Sequence, residues 1–190
     1  MGFDRWRPWF IDAARLVCER AHPEALVIFF QTDIKHAGRW VDKGYLVTQG
    51  AEAAGAQLVW HKVVCRAPPG VTTFGRPSWA HMLAFSKALT FEPGESTPDV
   101  IAHLGEMPWA RAMGVDACLA ALQFVKKFTR ADTIVDPFCG LGTVLAVAQG
   151  SPDGFRVIIN TGRVGNQEVP HLHAHIVGGP DPVGPMLKRI

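Results

Sequence analysis

The sequence has few features of secreted, disulfide-stabilised or membrane-bound proteins. Four cysteines, Cys18, Cys65, Cys118 and Cys139, lie far apart in 190 residues, and none forms a C-x-x-C pair. This spacing favours reduced, partly buried thiols over a disulfide framework or a zinc site. No apolar run approaches membrane-spanning length, and the first ten residues lack the apolar core of a signal peptide. We therefore expect a cytoplasmic protein without a membrane partner.

The chain also lacks a strong charge of either sign. It has 19 Lys and Arg against 17 Asp and Glu, a net charge of +2, and the basic residues are scattered. Charge alone therefore does not indicate a nucleic-acid partner. Hydrophobic residues make up 48% of the chain, which is enough for the core of one domain or of two small ones.

Residues 5–148 alternate between the helix and strand patterns. The predicted helices are 5–21, 44–54, 115–128 and a helix start at 144–148. The predicted strands are 25–32, 57–65, 79–87 and a short one at 133–136. Residues 33–43 and 66–77 are predicted loops, and 90–108 are irregular. This alternation predicts an α/β fold with a mostly parallel sheet, in which the apolar run 25–32 is a central strand.

The pattern changes after Gly150. Residues 154–160 and 171–177 form two strand patterns separated by a polar loop, which indicates an antiparallel pair. The chain is accordingly divided into 1–148, a junction at 149–154, and 155–190. Because the connector is only six residues long, the first of these strands is also predicted to dock beside 133–136.

A strand, a glycine turn and a helix start follow one another at residues 133–148. The string Asp-Pro-Phe-Cys-Gly-Leu-Gly-Thr at 136–143 resembles the first motif of S-adenosylmethionine-dependent methyltransferases, especially those that methylate amino groups of DNA bases. Residues 1–148 as a whole look like a truncated member of that family. The resemblance implies a Rossmann-like sheet and a cofactor site for S-adenosylmethionine. The residues that would line this site are Asp136, Phe138, Gly140, Gly142 and Thr143.

Two parts of the methyltransferase pattern are missing. The catalytic motif of the type Asp/Ser/Asn-Pro-Pro-aromatic is absent, since Pro68-Pro69 lies in Arg-Ala-Pro-Pro-Gly without the acid or the aromatic residue. A strand ending in an acidic residue is also missing after 144–148. Residues 31–33 and 38–40, in contrast, are predicted to lie near the carboxyl edge of the sheet, where ligands bind in open α/β folds.

Three histidines, His171, His173 and His175, occupy alternate positions of an apolar run. Because strand side chains alternate between faces, all three imidazoles are expected on one face. Such a strand is also compatible with a metal site, since His pairs at i and i+2 chelate zinc. The run His-Leu-His-Ala-His-Ile-Val, with the residues around it, resembles the histidine triad family, which hydrolyses nucleoside phosphoramidates and related nucleotides. The resemblance covers the C-terminal half of such a domain.

The histidine triad resemblance implies a role for each of these histidines. His173 would be the nucleophile that attacks the α-phosphorus, His175 would donate a hydrogen bond to the phosphate, and His171 would fix the ring of His173. The residues that would hold phosphate oxygens are Asn160, Asn166, Gln167 and Glu168. The implied partner is a purine nucleotide or nucleoside phosphoramidate, no metal is expected, and a homodimer is typical of the family.

Three hypotheses follow from these patterns. The first is a nucleotide hydrolase with a nucleotidyl-histidine intermediate, fused across 149–154 to a methyltransferase-like domain. The second is an S-adenosylmethionine-dependent methyltransferase acting on DNA or another nucleic acid, or an inactive binder of that cofactor. The third is a nonfunctional fusion. The first is preferred because its reactive residues are present in the sequence.

Overall fold

A mixed sheet with helices on both faces is the centre of the computed structural model. The structure describes residues 2–92, 94, 96–107, 112–131, 133–138 and 142–148, and the backbone of 156–159 and 174–177. The helices are α1 (Phe3–Arg20), α2 (Lys43–Ala53), α3 (Val115–Phe128) and α4 (Thr143–Ala148). The strands are β1 (Val27–Gln31), β2 (Ile34–His36), β3 (Arg39–Val41), β4 (Gln57–Cys65), β5 (Trp79–Ser86), β6 (Val100–Ile101), β7 (Arg156–Ile159) and β8 (Ala174–Val177).

The α/β class is confirmed, but the prediction of a mostly parallel sheet is wrong. The main sheet has the order β1-β5-β4-β6, and β5 runs antiparallel to both β1 and β4. Among the described strands, only β4 and β6 pair in parallel. The physical reason is the connection at residues 66–78, which contains no crossover helix and so returns the chain in the opposite direction. Strand β1 is consequently an edge of this sheet and not its centre.

Neighbouring residues of β5 belong to two separate hydrophobic cores, one on each face of the sheet. Leu83 and Phe85 pack with buried residues of α1 and α2, whereas Met82 packs on the other face with Ala117 and Ala121 of α3. This alternation follows from the two-residue period of strand side chains. Both faces of the sheet are therefore covered, which explains why the sequence of β5 is a continuous apolar run.

Helices α1 and α2 are in close contact at Gly50. A Cβ atom placed there would lie 2.4 Å from the carbonyl oxygen of Ile11 and 2.8 Å from the Cβ of Ala14. Both distances are shorter than van der Waals contact. The glycine therefore sets the distance at which α2 packs on α1.

The predicted loop at 33–43 is in fact a β-hairpin. Strands β2 and β3 pair from Ile34–Val41 to His36–Arg39. The two residues between them, Ala37 and Gly38, have φ values of 48° and 74°. Positive φ at both central positions is typical of the tight turns that connect hairpins.

The strand predicted at 133–136 does not form. These residues have no strand assignment, and the side chain of Val135 is 81% exposed. The antiparallel pair near the C-terminus is confirmed, since β7 pairs with β8 from Arg156–Val177 to Ile159–Ala174. Within the described residues β7 belongs to a separate two-stranded sheet, so the prediction that it docks beside 133–136 is wrong. A β-strand is defined by its ladder of hydrogen bonds to a neighbouring strand, and none of the described sheets includes residues 133–136.

None of the described helices combines the length and the apolar character required to cross a membrane.

Candidate functional site

Three titratable side chains from separate segments meet at the carboxyl end of β1. Asp33 follows β1 directly, His81 lies on β5 and His61 lies on β4. In the sheet, His81 is the partner of Gln31 on one side and of Val63 on the other. The strand pairing therefore brings together groups that are 20 to 48 positions apart in the sequence.

The carboxylate of Asp33 is buried and accepts three hydrogen bonds. Its side chain is almost completely enclosed, with 1% of the residue exposed. Oδ1 accepts from the backbone N–H of Lys43 at 2.8 Å and contacts Nε2 of His81 at 3.1 Å. Oδ2 accepts from the indole N–H of Trp40 at 3.1 Å. The β2–β3 hairpin reverses the direction of the chain, and it therefore brings Trp40 and Lys43 back to Asp33, which directly precedes β2.

The chain of contacts continues from His81 to the surface. Nδ1 of His81 lies 3.0 Å from Nε2 of His61. His81 is 5% exposed, whereas His61 is an exposed residue. The rings of Trp79 and His81 are nearly perpendicular, with their centroids 4.6 Å apart. A Cβ atom at Gly44 would lie 3.0 Å from the same imidazole, so the ring also packs closely against the start of α2.

Asp42 stands at the start of α2 beside this group. It is the N-cap residue, and its Oδ1 accepts from the backbone N–H of Tyr45 at 2.8 Å. The same oxygen lies 3.8 Å from Nε2 of His81. Asp33, Asp42 and His81 thus place one potential ligand atom each within 4.8 Å of one another. The contact between Asp33 and His81 has the length of a hydrogen bond, and we treat the group as a hydrogen-bonded network.

Burial changes the titration of the groups around this network. The pKa of His61 is lowered, first by burial and then by the neighbouring His81, while Asp42 acts in the opposite direction. The pKa of Lys43 is lowered as well, chiefly by burial, although Asp33 opposes the shift. Both changes favour the neutral forms of the bases.

The glycine loop predicted as a cofactor site is only partly described. Oδ1 of Asp136 accepts from the backbone N–H of Phe138 at 3.1 Å, and burial raises the pKa of the Asp136 carboxyl. Phe138 is 67% exposed, and Thr143 is buried at the first position of α4. Gly142 has φ +81°, a conformation that glycine adopts readily. Gly140 lies outside the described residues.

The predicted triad site falls mostly outside the described residues. Of the three histidines, only His175 lies within them, on β8 opposite Ile158 of β7. The predicted site residues that lie outside them are Asn160, Asn166, Gln167, Glu168, His171 and His173. The last described pair of the hairpin, Ile159 and Ala174, is adjacent in sequence to Asn160 and His173. Two of the predicted site residues therefore flank this pair directly.

The network of Asp33, His81 and His61 was not predicted as a site. One signal was available, since residues 31–33 and 38–40 were both expected near the carboxyl edge of the sheet. The hydrogen bond between Trp40 and Asp33 joins these two segments. The contribution of β4 and β5 could not be recognised because each strand contains a single histidine, and no spacing in the sequence relates the two.

The described cysteines agree with the expectation of reduced thiols. Cys18, Cys65 and Cys118 are all free. Burial raises the pKa of Cys18 to about 11 and that of Cys118 to about 12. Cys139 lies outside the described residues.

The fold resembles that of two solved structures of one bacterial protein. The protein, from Thermus thermophilus, is proposed to be a DNA modification methylase. One structure has a TM-score of 0.54 and 14% identity, and the match covers 77% of this chain and 69% of the other. The second, in complex with S-adenosyl-L-methionine, has a TM-score of 0.53 and 16% identity, and the match covers 78% and 68%. At such identities the likeness shows the fold alone.

The family comparison points to the C-terminal part of the chain. Residues 117–181 match the model of the HIT domain. Over 37 residues the chain is 60% identical to the purine nucleoside phosphoramidase of Escherichia coli (strain K12), a match that covers 20% of this chain and 30% of that protein. Over 36 residues it is 58% identical to Protein HitA of Neisseria gonorrhoeae, covering 19% and 34%. The chain thus spans about a third of the length of these relatives.

A longer match extends this similarity. The chain is 31% identical over 108 residues to an uncharacterized 13.2 kDa HIT-like protein of Azospirillum brasilense. The match covers 57% of this chain and 80% of the relative. With most of a HIT-like relative covered and the HIT domain matched at 117–181, the chain belongs to the histidine triad (HIT) family.

Proposed function

We propose that the chain hydrolyses a purine nucleoside 5′-phosphoramidate or a related nucleotide through a nucleotidyl-histidine intermediate. The observation that carries this proposal is the 60% identity over 37 residues to a purine nucleoside phosphoramidase. The antiparallel pairing of β7 and β8, with His175 on β8, is in keeping with it. Because the match covers 30% of that relative, the whole activity stays a proposal for this chain.

The reaction would take place at His173. Its neutral imidazole attacks the α-phosphorus and the P–N bond breaks, while the leaving nitrogen keeps the electron pair and takes a proton from solvent to depart as the amine. Water then attacks the same phosphorus, releases the nucleotide and restores the imidazole. His175 would donate a hydrogen bond to the phosphate, and His171 would orient the ring of His173. Asn160 and the segment 166–168 would hold phosphate oxygens.

Mass spectrometry after brief exposure to an adenosine phosphoramidate tests this mechanism. A covalent intermediate predicts a mass increase of one nucleotide, mapped to His173 in the peptide digest. His173→Ala should abolish the adduct. The matched control is His22→Ala, which removes an exposed histidine that follows α1 and lies outside the proposed site. Absence of the adduct in the wild type, or an equal adduct in His173→Ala, would contradict the mechanism.

A second candidate function is binding of S-adenosylmethionine at residues 136–143, with methyl transfer to a nucleic acid as the related activity. It is favoured by the fold shared with a proposed DNA modification methylase that was solved with S-adenosyl-L-methionine. Gly142 has a positive φ, and the buried Thr143 that follows it is the first residue of α4. Calorimetric titration with S-adenosylmethionine should show binding that is lost in Gly140→Val. Absence of a heat of binding in the wild type would contradict the proposal that the chain binds S-adenosylmethionine.

Three further features belong to the same proposal. We infer a cytoplasmic location, in keeping with the free thiols of the three described cysteines. We also infer a homodimer, which light scattering at several concentrations tests directly. The fusion of two partial domains across 149–154 is tested by sequencing a transcript that spans codons 145–157.

A further inference from the structure

We propose that Asp33, His81 and His61 form a proton relay in which His61 is a general base for an N–H or O–H group of a substrate. These three residues are different from the triad histidines and from the residues of the glycine loop. The relay does not depend on the function proposed above. The carboxylate and the inner imidazole are positioning residues, and His61 is the group that would touch the substrate.

The donors around Asp33 fix where the protons lie. The backbone N–H of Lys43 and the indole N–H of Trp40 can only donate, so both oxygens of Asp33 act as acceptors. His81 must therefore donate through Nε2, which leaves the lone pair of its neutral ring on Nδ1. That nitrogen accepts from Nε2–H of His61, and the lone pair of His61 is then on Nδ1. The hydrogen bonds thus leave the outer ring with one unprotonated nitrogen that the network does not use.

The imidazole of His81 cannot easily rotate to exchange the positions of its two nitrogens. The ring of Trp79 packs on His81 in a T-shaped contact, and a Cβ atom at Gly44 would lie only 3.0 Å from the same imidazole. A reversed ring would also have to break the contacts of both nitrogens, to Asp33 and to His61. The packing therefore holds Nε2 toward the carboxylate and Nδ1 toward the surface.

Proton transfer through this network conserves atoms and charge. A substrate X–H bond breaks, its electron pair stays on X, and the proton forms an N–H bond at Nδ1 of His61. The proton on Nε2 of His61 then passes to Nδ1 of His81. The positive charge finishes on the inner ring, 3.1 Å from the buried carboxylate of Asp33, where it forms an ion pair. The carboxylate of Asp33 then stabilises the charge that the transfer has left on the inner ring.

The surrounding charges are compatible with a neutral outer ring before the reaction. The charged and titratable groups beside the two imidazoles are Asp33 after β1, Asp42 at the start of α2, and the histidines themselves. Burial lowers the pKa of His61, which favours its neutral, proton-accepting form. Because His61 is exposed, a molecule in solution can reach it.

Nitrogen NMR of histidine-labelled protein tests the arrangement of protons. At pH 8 we expect both His61 and His81 to carry their proton on Nε2. His61 or His81 protonated on Nδ1 at pH 8 would overturn the relay.

The rate of acylation by diethyl pyrocarbonate tests the reactivity. Attack by Nδ1 of His61 requires loss of the Nε2 proton, which His81 can accept. We expect His61 to react about tenfold faster than the exposed control His22. In His81→Gln the side chain still forms hydrogen bonds but cannot take a proton, so this advantage should disappear. Urea unfolding of each variant shows whether the variant is folded, so that a loss of the rate advantage of His61 is not confused with a loss of folding. Equal acylation rates of His61 in the wild type and in a folded His81→Gln variant would refute the proposal.

Discussion

Replacement of Asp33 by Ala should destabilise the protein far more than most polar substitutions. The change removes the acceptor for three donors at once, on Lys43, Trp40 and His81. Trp40 is 47% exposed, so water can replace its lost partner, but His81 is 5% exposed and cannot be rehydrated in place. A buried donor without a partner costs roughly 1–3 kcal/mol. Counting the donors of Lys43 and His81, we expect a loss of about 2–4 kcal/mol.

Urea denaturation followed by circular dichroism measures this loss as a change in the free energy of unfolding. Asp42→Ala is the matched control, because Asp42 caps the same helix from an exposed position and accepts one hydrogen bond. Loss of such a cap costs typically about 1 kcal/mol. Asp33→Ala should therefore cost at least about twice as much as Asp42→Ala. Equal losses would refute the reasoning that the three donors depend on Asp33.

Three other predictions concern packing and titration. Gly50→Val should lower the unfolding free energy by about 1–3 kcal/mol, because the new side chain collides with the carbonyl of Ile11; an unchanged urea midpoint would contradict this. The folded-state pKa of Lys43 lies below 10.5, so the unfolded chain binds more protons and stability should rise as pH increases toward 10.5. Lys43→Met should reduce this rise, and an equally steep rise in the variant would exclude Lys43 as its source. Cys18 and Cys118, with pKa values raised to about 11 and about 12, should resist iodoacetamide at pH 8 until urea is added, as peptide mapping would show.

The helices could be predicted from the sequence because their signals are local. Apolar spacing predicted α3 with the same ends as the structure, and it placed α1 and α2 within two residues of their observed ends. The strand β4 was also predicted with its observed ends, and β5 lacks one residue of its predicted range. These elements have either a clear amphipathic period or a continuous apolar run, and neither signal depends on a distant partner.

The direction of the strands could not be predicted in the same way. An apolar run is equally compatible with a central strand and with an edge strand covered on both faces, and β1 is the second kind. The β2–β3 hairpin was missed because its strands have only three residues each, too few to show a periodic pattern. Residues 133–136 have the composition of a strand, but composition does not supply a neighbour to pair with.

The triad pattern is evident in the sequence without any structure, since alternation of His171, His173 and His175 is a local property of the chain. The same is true of the segments that become helices and apolar strands. The chain of hydrogen bonds through Asp33, His81 and His61, in contrast, exists only once the chain has folded. Their meeting depends on strand order and register, which result from the packing of distant segments. The spacing of the three residues in the sequence does not predict that they meet. They belong to separate elements, and the signals that form each element do not specify which strands pair or in which register.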